Sequence, residues 1–140
     1  MRVSGLTFKP RVLLVDDEVH QLQVRAEVME SCGFSVLTAD GPMAAISTMA
    51  KPSMEQTDVA VLDYNMPLMN GSALAAQLRL MCPRLKIILH SGEIDIPPSE
   101  MTHVDAYIPK SAGIGSLIAK VVQFVRAGRE IPFPGAGRAS

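Results

Sequence analysis

The residues able to do chemistry stand at the ends of four short apolar runs. Asp16, Asp17 and Glu18 follow VLLV, Asp63 follows VAVL, His90 and Ser91 follow KIIL, and Lys110 follows AYIP. If those runs are parallel strands of one sheet, several carboxylates, one hydroxyl and one ammonium converge at its carboxyl edge, where open parallel sheets bind their ligands. Crowded carboxylates repel one another and need a cation or a proton to relieve them. Mg2+ suits the role, because it takes hard oxygen ligands, keeps several waters and accepts phosphate oxygens. Such a site, with a lone Lys and a Ser hydroxyl beside it, is built for a phosphoryl group. Lys110 and the metal offset its charge, Ser91 hydrogen-bonds one of its oxygens, and a carboxylate is left over as nucleophile.

The elements that must position these groups are legible in the spacing. Arg11 to Val15, Val59 to Leu62, Lys86 to Leu89 and Ala106 to Pro109 are runs of strand length, and continuous β-branched runs suit strands buried on both faces. Phe34 to Thr38 alternates, which suits an edge. Between them lie helical segments. Val19, Leu22, Ala26 and Met29 form the stripe of the first, which ends at Gly33. Pro42, after Asp40 as a cap, opens the second, to Ala50; Ser72 to Met81 is the third, between Gly71 and Pro83; Ile114 to Ala127 is the last. Five β-α units with right-handed crossovers predict a doubly wound α/β sandwich, a parallel sheet with helices on both faces.

Composition narrows the function classes. With 140 residues, and 13 Lys+Arg against 14 Asp+Glu, the chain has room for about one domain and no net field to steer it to nucleic acid. The core must be aliphatic, since 48% of residues are hydrophobic but only 4% aromatic. The N-terminus lacks a signal-peptide pattern and no stretch reaches the roughly 18 apolar residues of a membrane span, so a cytoplasmic protein without membrane partners is expected. Cys32 and Cys82 lack CxxC or metal-ligand spacing and read as reduced structural thiols. His20 reads as a solvated helix histidine, and His90 and His103, which have no partner spacing, read likewise.

VLLVDDE, VAVLDYNMPLMNG, ILHSG and AYIPK, in that order and spacing, resemble the receiver domain of two-component response regulators, in particular single-domain chemotaxis-type receivers. The resemblance covers residues 10–128, leaving 1–9 as an N-terminal extension and 129–140 as a flexible tail. It implies a flavodoxin-like strand order 2-1-3-4-5. By position, Asp63 matches the phosphoacceptor, Asp17 the direct metal ligand and Asp16 its partner, often acting through water. The main-chain carbonyl of Asn65 would complete the protein's contribution to Mg2+, with Mn2+ as the alternative ion. Ser91 matches the switch hydroxyl, Lys110 the essential lysine and Tyr107 the aromatic that reports the state of the site. Asn65 and Glu93 occupy positions that influence hydrolytic water, which points to a phosphoryl group that is not especially long-lived.

The resemblance further implies a phosphoacceptor rather than an enzyme in its own right, with self-catalysed phosphotransfer and autodephosphorylation. A sensor histidine kinase or phosphotransfer protein would be the donor. A chain with no room for an output domain would signal to a separate effector protein, without direct nucleic-acid contact. The face made by the fourth helix, fifth strand and fifth helix would read out the switch or form a homodimer. Three departures stand against the family pattern. Lys110 is followed by Ser111 rather than Pro, so a trans peptide is the default. Gly92 replaces a common Ala, which loosens the loop after the fourth strand. Pro97-Pro98 limits the fourth helix to a turn or two near Ser99 to His103. Two alternatives stay open: a phosphorylation-independent module with the same fold, and an aspartate-nucleophile phosphatase, which would need a second Asp where Asn65 stands.

Overall fold

The computed structural model describes residues 8–92 and 95–129. Its five strands, β1 (Arg11–Val15), β2 (Ser35–Ala39), β3 (Val59–Leu62), β4 (Lys86–Ser91) and β5 (Ala106–Pro109), form one parallel sheet in the order β2-β1-β3-β4-β5. Four α-helices flank it: α1 (Val19–Ser31), α2 (Pro42–Met49), α3 (Gly71–Met81) and α4 (Ile114–Gly128). This is the doubly wound arrangement and the strand order that the sequence implies.

Side-chain alternation along the strands divides the core into two layers. Val12, Leu14, Val59, Val61 and Ile88 face α1 and α4, meeting Leu22, Ala26, Met29, Leu117, Val121 and Val125. Leu13, Val15, Ala60, Leu62, Ile87 and Leu89 face the other way, onto Ala45 and Met49 of α2 and Leu74, Ala75 and Leu78 of α3. Both faces of β1, β3 and β4 are therefore covered, which is why their sequences read as unbroken apolar runs. The outer strands β2 and β5 are half-buried along most of their length.

The helix ends show where local chemistry acts. Gly33 follows α1 with φ 104°, the left-handed conformation that a helix C-terminus favours in glycine. Pro42 opens α2 as expected, but Asp40 does not cap it: the N-cap is Gly41 and no side chain closes that end. Asn70 caps α3 by accepting a hydrogen bond from the Ala73 amide at 2.9 Å. The segment expected to hold a short fourth helix contains only a 3-10 turn, Pro98–Met101, and no cis peptide occurs among the described residues.

The far end of the sheet is closed by a polar clamp. Arg129, just past α4, donates from Nε and Nη2 to the two oxygens of Asp58, each at 2.9 Å, and its guanidinium lies 3.8 Å from the ring centroid of Phe8. The main-chain N–H of Arg11 donates to Asp58 as well. Residues 1–7 and 130–140, the bulk of the expected extension and tail, lie outside the described residues.

Candidate functional site

The sheet register brings the reactive residues to one edge. Val15 of β1 pairs with Leu62 of β3, Leu62 with Leu89 of β4, and Ser91 with Pro109 of β5. Asp16 and Asp63, which follow β1 and β3, are therefore neighbours on adjacent strands, and Lys110, which follows β5 on the far side of β4, reaches both with its side chain. Asp16 and Asp63 prolong the ladder by one rung, their amides donating to Ala39 O at 3.2 Å and Val15 O at 2.9 Å. Their side chains are thereby anchored to the central strands of the sheet.

One carboxylate oxygen each of Asp16, Asp17 and Asp63 lie within 4.8 Å of one another. Asp16 and Asp63 are buried, at 1% and 6% exposure, whereas Asp17 is exposed. Lys110 Nζ sits between the two buried acids, 3.0 Å from Asp16 Oδ2 and 3.3 Å from Asp63 Oδ1. Asp16 Oδ1 accepts the Glu18 amide at 2.9 Å, and Arg25 Nη1 of α1 reaches Asp16 Oδ2 at 3.3 Å.

The two acids differ electrostatically for stated reasons. Burial, and then the charge of Asp16, push the Asp63 carboxyl up to about 6, with Lys110 pulling only part of the way back. Burial also acts against an ionised Asp16, yet the Glu18 amide, Lys110 and Arg25 together hold its carboxyl below the ordinary value. Lys110 loses hydration by burial but is kept charged by its bond to Asp16 and the charge of Asp63. Asp16 is thus a fully compensated anion and Asp63 an under-compensated one. An all-oxygen cluster with one under-compensated buried acid and one exposed acid fits a hard divalent cation that retains water.

Asn65 is exposed in the loop after β3, and Ser91, at 1% exposure, ends β4. Tyr107 is half-buried on β5 and packs against the core layer of α2 and α3. Glu93 lies outside the described residues. His20 and His103 are exposed as read from the sequence, but His90 is not. It is buried at 4%, because β4 continues through Ser91 between two covered faces and every residue from Ile87 to Ser91 is buried. Burial, followed by the charges of Arg25 and Lys110, pushes its imidazole down to about 4, so it stays neutral.

Two groups at the site carry no sequence signal strong enough to find them. Arg25 comes from the middle of α1, and only the seating of that helix brings it to Asp16. Glu100, in the Pro98–Met101 turn, accepts from Tyr64 Oη at 3.1 Å and Asn70 Nδ2 at 3.2 Å, tying that turn to the loop that begins beside Asp63. Within the loop, Leu68 is 92% exposed and adopts φ 75°.

Comparison with known proteins agrees with this geometry. The sequence model described as "Response regulator receiver domain" matches residues 12–122. The transcriptional regulatory protein PrrA of Mycobacterium tuberculosis is 32% identical over 127 residues, an alignment that spans 88% of this chain and 52% of PrrA. The chain thus spans about half the length of that relative. A CheY-like receiver domain protein of Methanospirillum hungatei JF-1 superposes with a TM-score of 0.79 at 21% identity, covering 89% of this chain and all of that one. The response regulator TrrA of Thermotoga maritima, solved with Mg(2+)-BeF, is 27% identical with a TM-score of 0.73, over 82% of this chain and 98% of its own. TrrA has also been solved in complex with the histidine kinase ThkA, at 26% identity, a TM-score of 0.74, and the same 98% coverage of TrrA against 83% of this chain. No helix among the described residues is long and apolar enough to cross a membrane.

Proposed function

The chain belongs to the response regulator receiver domain family, and from that membership we propose that residues 10–128 are a phosphoreceiver whose acceptor is Asp63. The observation that carries the proposal is the placement of Lys110 Nζ between Asp16 and Asp63, which leaves Asp63 buried, central and incompletely neutralised.

In this reading one carboxylate oxygen of Asp63 attacks the phosphorus of a phosphohistidine. The O–P bond forms, the P–N bond breaks, and its electron pair stays on that ring nitrogen, so that the imidazole, already carrying a proton on its other nitrogen, leaves neutral. Lys110 holds the other charge of the site and faces the incoming phosphoryl oxygens. Mg2+ (or Mn2+), held by Asp17, Asp63 and the Asn65 carbonyl with Asp16 beside it, would supply the remaining positive charge. Ser91 then hydrogen-bonds a phosphoryl oxygen, moving the loop that begins at Gly92, and Tyr107 turns with it. Asn65 and Glu93 govern the approach of hydrolytic water.

The donor class is a histidine kinase or phosphotransfer protein, a class supported by the complex of the related TrrA with the histidine kinase ThkA. The output is a change in the face formed by the Pro98–Met101 turn, β5 and α4, read by a protein partner or a second copy of the receiver. Phosphorylation shifts a two-state equilibrium rather than building a new fold.

The test is incubation with acetyl phosphate and Mg2+ followed by intact mass measurement. The wild-type protein should gain one phosphoryl group and Asp63→Asn should gain none. A wild-type mass that stays unchanged with acetyl phosphate, phosphoramidate and a phosphorylated histidine phosphotransfer domain would sink the reading. Steady turnover of a phosphate monoester would favour a phosphatase instead.

A further inference from the structure

Asp16 is saturated on one oxygen. A carboxylate oxygen has two lone pairs, and on Oδ2 both have a cationic donor: Lys110 Nζ at 3.0 Å and Arg25 Nη1 at 3.3 Å. On Oδ1 the Glu18 amide takes one direction at 2.9 Å, leaving a single lone pair for anything else. The contacts are sheltered, since the side chains of Asp16 and Arg25 are 2% and 13% exposed, so water competes weakly for either partner. Lys110 is shared with Asp63, but the only carboxylate that Arg25 contacts among the described residues is Asp16.

We propose that Arg25 is a positioning residue of the acidic site, a built-in cation that fixes Asp16 and lowers the affinity of the cluster for a divalent metal. It rests on the phosphoreceiver reading of the same site. With Arg25 in place, a metal must reach Asp16 through the last lone pair of Oδ1, through a water, or by displacing a cation. Asp17 and Asp63 are then left as the acids open to direct coordination. The charge of Arg25 also repels an arriving dication, while its removal leaves the three carboxylates relieved by Lys110 alone. Among the described residues the cations that face Asp16 are Arg25 from α1 and Lys110 after β5, and the neighbour from β4 is His90, held neutral.

The experiment is calorimetric titration of the unphosphorylated protein with Mg2+, repeated with Mn2+, on wild type, Arg25→Met, Arg25→Gln and Arg25→Lys. Arg25→Met and Arg25→Gln should bind Mg2+ about tenfold tighter, the order of one charge-assisted hydrogen bond. Arg25→Lys should return the dissociation constant toward that of wild type. Denaturant midpoints in EDTA run alongside: the neutral variants should be less stable there, and should recover more on adding Mg2+ than wild type does. A purely architectural Arg25 would lower the midpoint equally with and without metal and leave the dissociation constant where it was, which overturns the proposal. So would tightening by Arg25→Lys equal to that by Arg25→Met. If wild type and all variants fail to bind Mg2+, the phosphoreceiver reading falls as well; if wild type binds and the neutral variants match it, only the role of Arg25 falls. Arg25→Gln keeps the test open should Arg25→Met not fold.

Discussion

The Cα of Gly71 faces the main-chain carbonyl of Asp63 so closely that a Cβ there would overlap that oxygen, and it would also come within 2.7 Å of Leu89 Cδ1. The approach is fixed from both sides, because the Gly71 amide donates to Tyr64 O at 2.8 Å and α3 begins at Gly71. Gly71→Ala should therefore push α3 off the end of β3 and displace the acceptor residue. A loss of about 2 to 3 kcal/mol is expected, the scale of overpacking a tight core. Urea unfolding monitored by circular dichroism measures it, and phosphorylation by acetyl phosphate should slow in the same variant at temperatures where it remains folded.

The raised carboxyl of Asp63 gives stability a defined pH dependence. In the metal-free protein, between an unfolded value of 3.8 and a folded value of about 6, the native state holds a proton that the unfolded chain has released. Stability from this group therefore falls as pH rises across that window. Asp16 acts in the opposite sense, contributing stability at neutral pH that is lost on acidification through its lowered folded value. Asp63→Asn removes the first effect and takes one of its two carboxylate partners from Lys110, which keeps Asp16. In EDTA it should be more stable than wild type above pH 6, by up to about 3 kcal/mol, and the gap should close by pH 4. Adding Mg2+ at pH 7.5 should narrow it too, because metal bound to native wild type stabilises it by mass action. Thermal melts at several pH values, with and without Mg2+, follow both changes.

Leu68 combines an exposed apolar side chain with φ 75°, a conformation that costs an L-residue about 1 to 2 kcal/mol. Almost no burial is at stake there. Leu68→Asn should raise stability by about 0.5 to 1 kcal/mol, since asparagine tolerates this region and loses no packing. A denaturant midpoint that fails to rise would show that the side chain has a compensating contact.

Glu100 joins the Pro98–Met101 turn to the phosphoacceptor loop through Tyr64 and Asn70. Tyr64→Phe removes one of the two bonds and should cost about 1 kcal/mol. Glu100→Ala removes both, while the cap from Asn70 to Ala73 survives. Amide exchange across residues 98–104 should accelerate in Glu100→Ala and leave β1 unaffected.

Much of this fold was legible because the central strands are covered on both faces. β1, β3 and β5 begin and end where the apolar runs do. β4 continues two residues further, through His90 and Ser91, where polar composition hides a strand that hydrogen bonding maintains. That extension is also why His90 reads as solvated from the sequence: a lone histidine after an apolar run gives no sign that a strand covered on both faces continues through it. The Asn70 cap stood one residue before a glycine that looked like a boundary, whereas Asp40 had the right chemistry and formed no cap. Of the site, the acids and Lys110 could be read because each follows an apolar run directly. Arg25 could not, since its role depends on how α1 seats on the sheet.

The hydrogen bonds from the Asp16 and Asp63 amides to neighbouring strands make those two positions the last rungs of the ladder. Their amides should open only with global unfolding and rank among the slowest to exchange in deuterated solvent. The acidic half of the site is then an anvil, unable to yield when its occupant changes. Whatever gives way must lie across from it, where β4 ends at Ser91 and leads into Gly92.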